Sequence, residues 1–379
     1  MIQSYKIRIY PTKEQEKLMW QHVGSCRYLW NYMLDVQQKR YEAGEKHLSG
    51  FDMTNLLKPL KNDGEHIWLH DVSNTSLKTV CRDLDKAYQG FFKKRTGFPK
   101  FKSRKRSKAN FPIRETMYFK DERFAVIEKI GKVRYKTDFV PPLGKGTAKF
   151  TNPRVANICG KWILSFGMER ENQALALNDF SVGIDLGVKD SATAAYSDRK
   201  IVFHNINKSR RVRSLKQRQK RLQRSISRKY HANKQGAKYI KTKNIEREEA
   251  KLRKLYAKLS NIRMNFIHQS THKIVSLLPR RVVMEDLNVQ GMMKNRHLSK
   301  AIQEQCFYEW IRQLRYKCEW RGIAFIQVPR FYPSSKTCHS CGRVKHDLKL
   351  KDRTFVCPEC GYTQDRDYNA ALNLMSYES

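Results

Sequence analysis

A chain of 379 residues with 40% apolar and 11% aromatic residues can bury a sizeable core, which excludes general disorder and predicts two or three domains. Its 76 Lys and Arg stand against 36 Asp and Glu, a net charge of +40 that opposes compaction and calls for an anionic partner, nucleic acid before any other. No apolar run is long enough to span a bilayer, and Met1 to Arg8 contain no secretory core, so a cytosolic location without a membrane partner is expected.

Tyr5, Ile7 and Ile9 alternate with Lys6 and Arg8, the pattern of a half-buried strand. Thr12 followed by Gln15 predicts a capping box and a helix to about residue 42, with Leu18, Trp20, Val23, Leu29 and Leu34 on its apolar positions. A second helix is expected over about 74–93, where Leu77, Cys81, Leu84, Tyr88 and Phe91 recur at helical spacing. It runs into a stretch where Phe98 and Phe101 interleave with Lys100, Lys102 and Arg104. Cations for phosphates and rings for bases suit a nucleic-acid strand, and a solvated linker explains the stretch equally well. Short strands follow at 117–119, 124–127, 133–135 and 162–164, as in a small β-barrel that the strand at 5–9 could join, with the helices as an insertion.

Strands at about 181–186, 191–196 and 200–204 read as an antiparallel meander. Residues 208–260 then hold about twenty Lys and Arg against Glu246, Glu248 and Glu249. Helices are expected at 212–226 and 245–259, and cations such as Arg211, Arg218 and Arg221 suit a phosphate-tracking surface better than a merely solvated face. A helix ending near Leu278, a strand at 282–284, a helix over 300–320 and a strand at 323–328 complete the order. In the 300–320 helix Ile302, Cys306, Trp310, Leu314 and Cys318 share one face. A meander followed by alternating helices and strands is the element order of an RNase H-like domain, so the fold class is α/β and multidomain.

Three carboxylates stand out in this cationic chain. Asp185 sits in the apolar run Val182–Gly187, Glu285 ends the strand Val282–Met284, and Asp367 opens the final helix. A lone Asp or Glu at a strand end, or an Asp as helix N-cap, is ordinary. Three together suggest a shared cause: converging at ~4 Å, each pair repels by about 4 kcal/mol at an effective dielectric near 20. Mg2+ relieves such repulsion, and two such ions can drive phosphodiester hydrolysis without a protein nucleophile. Asp185, Glu285 and Asp367 are the expected ligands, with Asp365, Asp286 and Asn369 as second choices or outer neighbours.

Of nine cysteines, Cys26, Cys81, Cys159, Cys306 and Cys318 are scattered and read as small core residues. Cys338, Cys341, Cys357 and Cys360 form two C-x2-C pairs separated by fifteen residues, each followed by glycine. Such pairs close a four-thiolate structural zinc site, for which His339 is not needed. A redox role does not explain two matched pairs.

At these residues the sequence resembles the transposon-encoded TnpB nucleases, ancestral relatives of the type V CRISPR effectors. The resemblance rests on Gly183–Asp190, Met284–Leu287, Ser335–Cys338 with its ribbon, Asp365–Ala371, the Tyr10-Pro11-Thr12 start and Gly97–Phe101. It implies a β-barrel wedge domain at 1–10 and 105–176, a helical recognition domain at 11–104, a RuvC nuclease domain at 177–334 and 363–379, and a zinc ribbon at 335–362. It implies a guide RNA from the transposon end, double-stranded target DNA cut beside a short motif, a monomer in the RNA complex, and a prokaryotic cytoplasm, on the nucleoid when DNA-bound. Carried over by motif, Asp185, Glu285 and Asp367 match the catalytic triad, and Phe51, Asn74 and Lys78 lie where the target-adjacent motif is read. A DDE-like transposase and an RNA-guided regulator without cleavage are the alternatives.

Overall fold

The computed structural model describes residues 2–113, 117–171, 175–349 and 352–378. The chain divides into two compact units, residues 1–171 and 172–379.

The first unit begins with β1 (Ile2–Tyr10), α1 (Lys13–Glu42), the short α2 (Gly50–Asn55) and α3 (Leu57–Lys61), and α4 (Asn74–Phe92). β2 (Asn110–Pro112), β3 (Tyr118–Phe119), β4 (Phe124–Ile127), β5 (Gly131–Lys136), β6 (Phe150–Ile158) and β7 (Lys161–Glu169) follow. The strands form one antiparallel sheet in the order β2-β6-β7-β1-β5-β4-β3, with the first strand of the chain at its centre. Ile7 and Ile9 are buried while Lys6 and Arg8 face solvent, so alternation fixes the register. Among the described residues no ladder joins β2 to β3, so the hydrogen-bonded closure of a barrel is not present among them.

Both halves of the Thr12–Gln15 capping box form. Of the apolar positions expected on α1, Val23, Leu29 and Leu34 are buried together with Met19, Cys26 and Met33, and Leu18 packs against them, while Trp20 is 45% exposed and lies edge-on to Trp162 at 5.1 Å. Strand β6 went unread in the sequence. Asn152, in the left-handed region at φ 49°, precedes Pro153, and the register shifts between Thr151 and Arg154, which breaks the alternation a strand needs to be recognised.

The second unit opens with β8 (Asn178–Asp185), β9 (Asp190–Tyr196) and β10 (Arg199–His204), then α5 (Arg210–Ala232). A small hairpin, β11 (Lys234–Gln235) and β12 (Lys238–Tyr239), leads to α6 (Lys243–Val275) and β13 (Pro279–Glu285). α7 (Val289–Met293), α8 (Ser299–Gln305), α9 (Phe307–Glu319), β14 (Ala324–Val328), β15 (Thr354–Val356), β16 (Thr363–Asp365) and α10 (Arg366–Met375) complete it. The main sheet runs β10-β9-β8-β13-β14, antiparallel through β8 and parallel from β8 to β14. Val182, Ile184, Val282 and Met284 pack with Ile274, Trp310 and Leu314 of α6 and α9. On the opposite face Ala195, Val283 and Val328 meet Ala371, Leu372 and Leu374 of α10.

Three expectations need correction here. The helices read at 245–259 and up to 278 are one 33-residue helix, α6, since no proline interrupts 243–275. The helix read at 300–320 breaks at Cys306, whose φ of 54° is left-handed, so Cys306 is only partly buried where it packs against Ile302, Trp310, Leu314 and Cys318. The carbonyl of Glu304 accepts from Asn207 Nδ2 at 3.0 Å, and Gln305 Oε1 from Ser191 at 2.8 Å. Cys159 also departs from a core role, being half-buried in the left-handed turn between β6 and β7. Among the described residues no helix is long and apolar enough to cross a membrane.

Candidate functional site

Parallel pairing of β13 with β8 sets Met284 opposite Ile184, so Glu285 and Asp185 leave the ends of neighbouring strands side by side. The third carboxylate comes from the other end of the unit's sequence. A Cβ on Gly183 would lie 2.0 Å from the Ala371 carbonyl and 2.3 Å from the Met375 nitrogen, so α10 rests directly on the β8 backbone. Asp367 lies one turn before Ala371 on the same helix face and is thereby delivered towards Asp185.

Among the described residues only the four cysteines lie close enough together to form a ready ligand group, but the carboxylates act on one another electrostatically. Burial pushes the Asp185 carboxyl well above the usual carboxylate range; Glu285 and Asp367 push it further, against Arg366. Burial also raises Glu285, opposed by the hydrogen bond it accepts from Ser334 Oγ. Arg366 pairs with Asp367 at 3.2 Å.

The three second choices have partners of their own, and Asp365 also bears on the Asp185 carboxyl, raising it. Asp365 is the N-cap of α10, accepting from Tyr368 N at 3.0 Å, and pairs with Lys200 at 3.4 Å. Asp286 pairs with Arg330 at 2.9 Å. Asn369 is fully buried and clamps the segment before the cysteines: its Nδ2 donates to Thr337 O at 2.7 Å, and its Oδ1 accepts from His339 N at 3.2 Å. Asn373, one turn on, donates to Ser334 O and Thr337 O at 2.7 Å each. Sequence reasoning missed Ser334, Asn373, Arg366 and Gly183. Only Gly183 carried a signal, a glycine inside an otherwise apolar strand.

Cys338, Cys341, Cys357 and Cys360 bring their sulfurs within 4.8 Å of one another, with Cys338–Cys360 and Cys341–Cys357 both at 3.6 Å. Zn–S bonds of about 2.3 Å in a tetrahedron demand sulfurs roughly 3.8 Å apart, so the donor set fits zinc. Gly342 and Gly361 follow each pair at φ 76° and 70°, a left-handed turn that glycine adopts freely. The backbone N–H of Cys360 helps hold the Cys357 thiol down to about 6. His339 is not in the cluster.

The remaining candidates are dispersed. Asn74 and Lys78 line a cavity of about 500 Å3 with Lys58, Lys61 and His70, while Phe51 is 74% exposed and outside that lining. Burial, then Lys129 and Lys78, hold the Lys61 ammonium below its ordinary value, so this cavity concentrates positive charge. Lys100 and Arg104 are exposed. Lys102 lies 3.3 Å over the Trp30 ring, and its backbone is tied to Asn31 at 2.7 and 2.9 Å. The stretch around Lys102 is therefore strapped to α1 rather than loose. Arg211, Arg218 and Arg221 are exposed on α5, whereas Glu248 and Glu249 are drawn into pairs with Lys229 and Lys241 at 2.6 Å.

Family models match three stretches: a helix-turn-helix domain at 1–46, a probable transposase at 165–296, and a Cas12f1-like TNB domain at 307–374. The Escherichia coli protein named "Putative RNA-guided DNA endonuclease InsQ" is 32% identical over 99% of this chain and 92% of its own length. A Streptomyces pristinaespiralis protein named "Putative RNA-guided DNA endonuclease" is 28% identical over 98% of this chain and 88% of its own. A solved structure of a mini-RNA-guided endonuclease, CRISPR-Cas phi3, aligns over 99% of this chain and 92% of that one at 12% identity with a TM-score of 0.49, too distant to bear on function.

Proposed function

The chain belongs to the TnpB family of transposon-encoded nucleases, and from that premise we propose that it is an RNA-guided DNA endonuclease of an insertion sequence, with Asp185, Glu285 and Asp367 as its hydrolytic centre. The observation that carries this reading is the side-by-side exit of Asp185 and Glu285 from parallel strands, with α10 seated on Gly183 to bring in Asp367. The donor chemistry fits Mg2+: hard carboxylate oxygens, with the charge on Asp185 disfavoured first by burial and then by Glu285 and Asp367, a cost that a bound cation relieves. Bound there, Mg2+ would supply Lewis-acid catalysis of phosphodiester hydrolysis. The protein's own part is positioning. Ser334 orients Glu285, Arg366 offsets charge at Asp367, and the asparagines of α10 lock the segment that carries Ser334.

The strand order β10-β9-β8-β13-β14 supports an RNase H-like, RuvC-type domain interrupted by a zinc ribbon, for which the four thiols are the ligands. A central β1 with helices inserted after it supports a wedge domain split by a helical recognition domain. The exposed cations of α5 suit guide RNA, and the Lys58–Lys61–Lys78 cavity suits target duplex.

The test uses the full chain purified from its own locus with nucleic acid retained. A defined RNA should co-purify and direct Mg2+-dependent cutting of matched DNA, and Asp185→Ala should lower cutting at least ~100-fold while leaving DNA binding intact. Cutting by Asp185→Ala at the wild-type rate, or strand transfer without RNA as a transposase performs, overturns the reading.

A further inference from the structure

One large side chain beside the carboxylates has no packing role. Phe331 is 92% exposed, more than any other large apolar residue described. Single exposed apolar residues are common and ordinarily mean nothing. This one differs in how its backbone is held. The segment Pro329–Ser334 leaves β14 where Val328 pairs with Glu285, and is fastened at both shoulders. On one side Arg330 pairs with Asp286 at 2.9 Å; on the other, buried Ser334 donates to Glu285. Between them Tyr332 N bonds Pro329 O at 2.9 Å, and the Tyr332 ring lies edge-on to Tyr377 at 5.1 Å. The loop is thus tied to two successive residues at the end of β13, while its phenyl group stands in solvent.

We propose that Phe331 is a base-stacking residue that positions a single-stranded segment of DNA over the carboxylate cluster, a proposal that rests on the nuclease reading. Stacking there requires that a strand reaching the cluster pass the Arg330–Ser334 loop with its bases unpaired. A phenyl face held at the rim offers a base a partner without regard to its identity, which suits an enzyme whose sequence choice lies elsewhere. Arg330, half-exposed and engaged by Asp286, places a guanidinium on the same loop, a group suited to a phosphate.

The experiment compares wild type with Phe331→Ala, Phe331→Leu and Phe331→Trp in the RNA-loaded full chain. Binding of a short single-stranded oligonucleotide carrying 2-aminopurine is followed by fluorescence quenching with Ca2+ in place of Mg2+, and cleavage is measured separately. Expected are a roughly 5- to 100-fold weaker binding and higher KM for Ala and Leu, kcat within about threefold of wild type, and wild-type behaviour for Trp. Unchanged binding in Phe331→Ala, or a Leu variant equal to wild type, overturns the proposal, since Leu keeps bulk without a π face. Absence of cleavage by wild type would instead strike the nuclease reading, while the binding series would still decide the stacking role. Melting temperatures equal to wild type are expected for all three variants.

Discussion

The second unit assembles two ligand-bearing centres by opposite means. The four thiols come from two knuckles within 23 residues, each shaped by its own left-handed glycine, and they gather within 4.8 Å. The three carboxylates span 183 residues, come from two strands and a helix, and are drawn towards one another through the pairing of β13 with β8 and the seat of α10 on Gly183. Local turns make the first centre; tertiary packing makes the second. They are also linked, for Asn369 and Asn373 of the helix that bears Asp367 grip Ser334, Thr337 and His339, the run leading into the first cysteine pair.

That contrast breaks first at the thiols. Cys338→Ser or Cys357→Ser should release zinc and unfold the ribbon, because zinc binding contributes about 10–16 kcal/mol to such modules. Metal analysis and proteolysis of 335–362 would check this, and full zinc retention would refute the site. Gly183→Ala should come next. Its Cβ meets backbone of α10, which cannot yield as a side chain could, so a loss of about 1–3 kcal/mol or more is expected together with loss of cutting, read by thermal unfolding and cleavage assay.

A subtler test concerns the repulsion itself. The Asp185 carboxyl is raised in the folded state, so the fold binds its proton more tightly than the unfolded chain does. The stability it contributes is full below the unfolded value of about 3.9 and is lost as pH rises through the raised folded value. Asp185→Asn should therefore raise Tm in metal-free protein at neutral pH, and the gain should vanish towards acid pH. Mg2+ should raise the Tm of wild type more than that of the variant. The smallest effect separates neighbours in one turn: Asp365→Ala removes a helix cap and should cost about 1 kcal/mol, whereas Asp367→Asn should abolish cutting with little change in Tm.

Much of this was legible in the sequence. The alternation at 5–9, the capping box at Thr12, the apolar strands around Asp185 and Glu285 and the doubled C-x2-C spacing each announce themselves within a short stretch, the longest being the 23 residues from Cys338 to Cys360, because periodicity and turn chemistry are local. What failed was non-local. Trp20 fits an apolar pattern, yet the stripe through Met19 and Val23 is the one the core takes. Cys306 fits a continuous helix, yet bonds from Asn207 and Ser191 to the residues just before it accompany a break there. Asp365 and Asp367 look interchangeable until the helix starts, when one caps it and the other faces the strands.

By itself the sequence determined the chemistry available: an excess of cations for a polyanion, four thiols at metal-binding spacing, and carboxylates on apolar strands. Only the tertiary structure decided which carboxylates leave neighbouring strand ends, which asparagines tie the ribbon to α10, and which phenyl group is left in solvent on the loop between them. The reason is physical. Donor identity is a property of each residue, whereas convergence depends on strand register and on how closely one backbone can approach another.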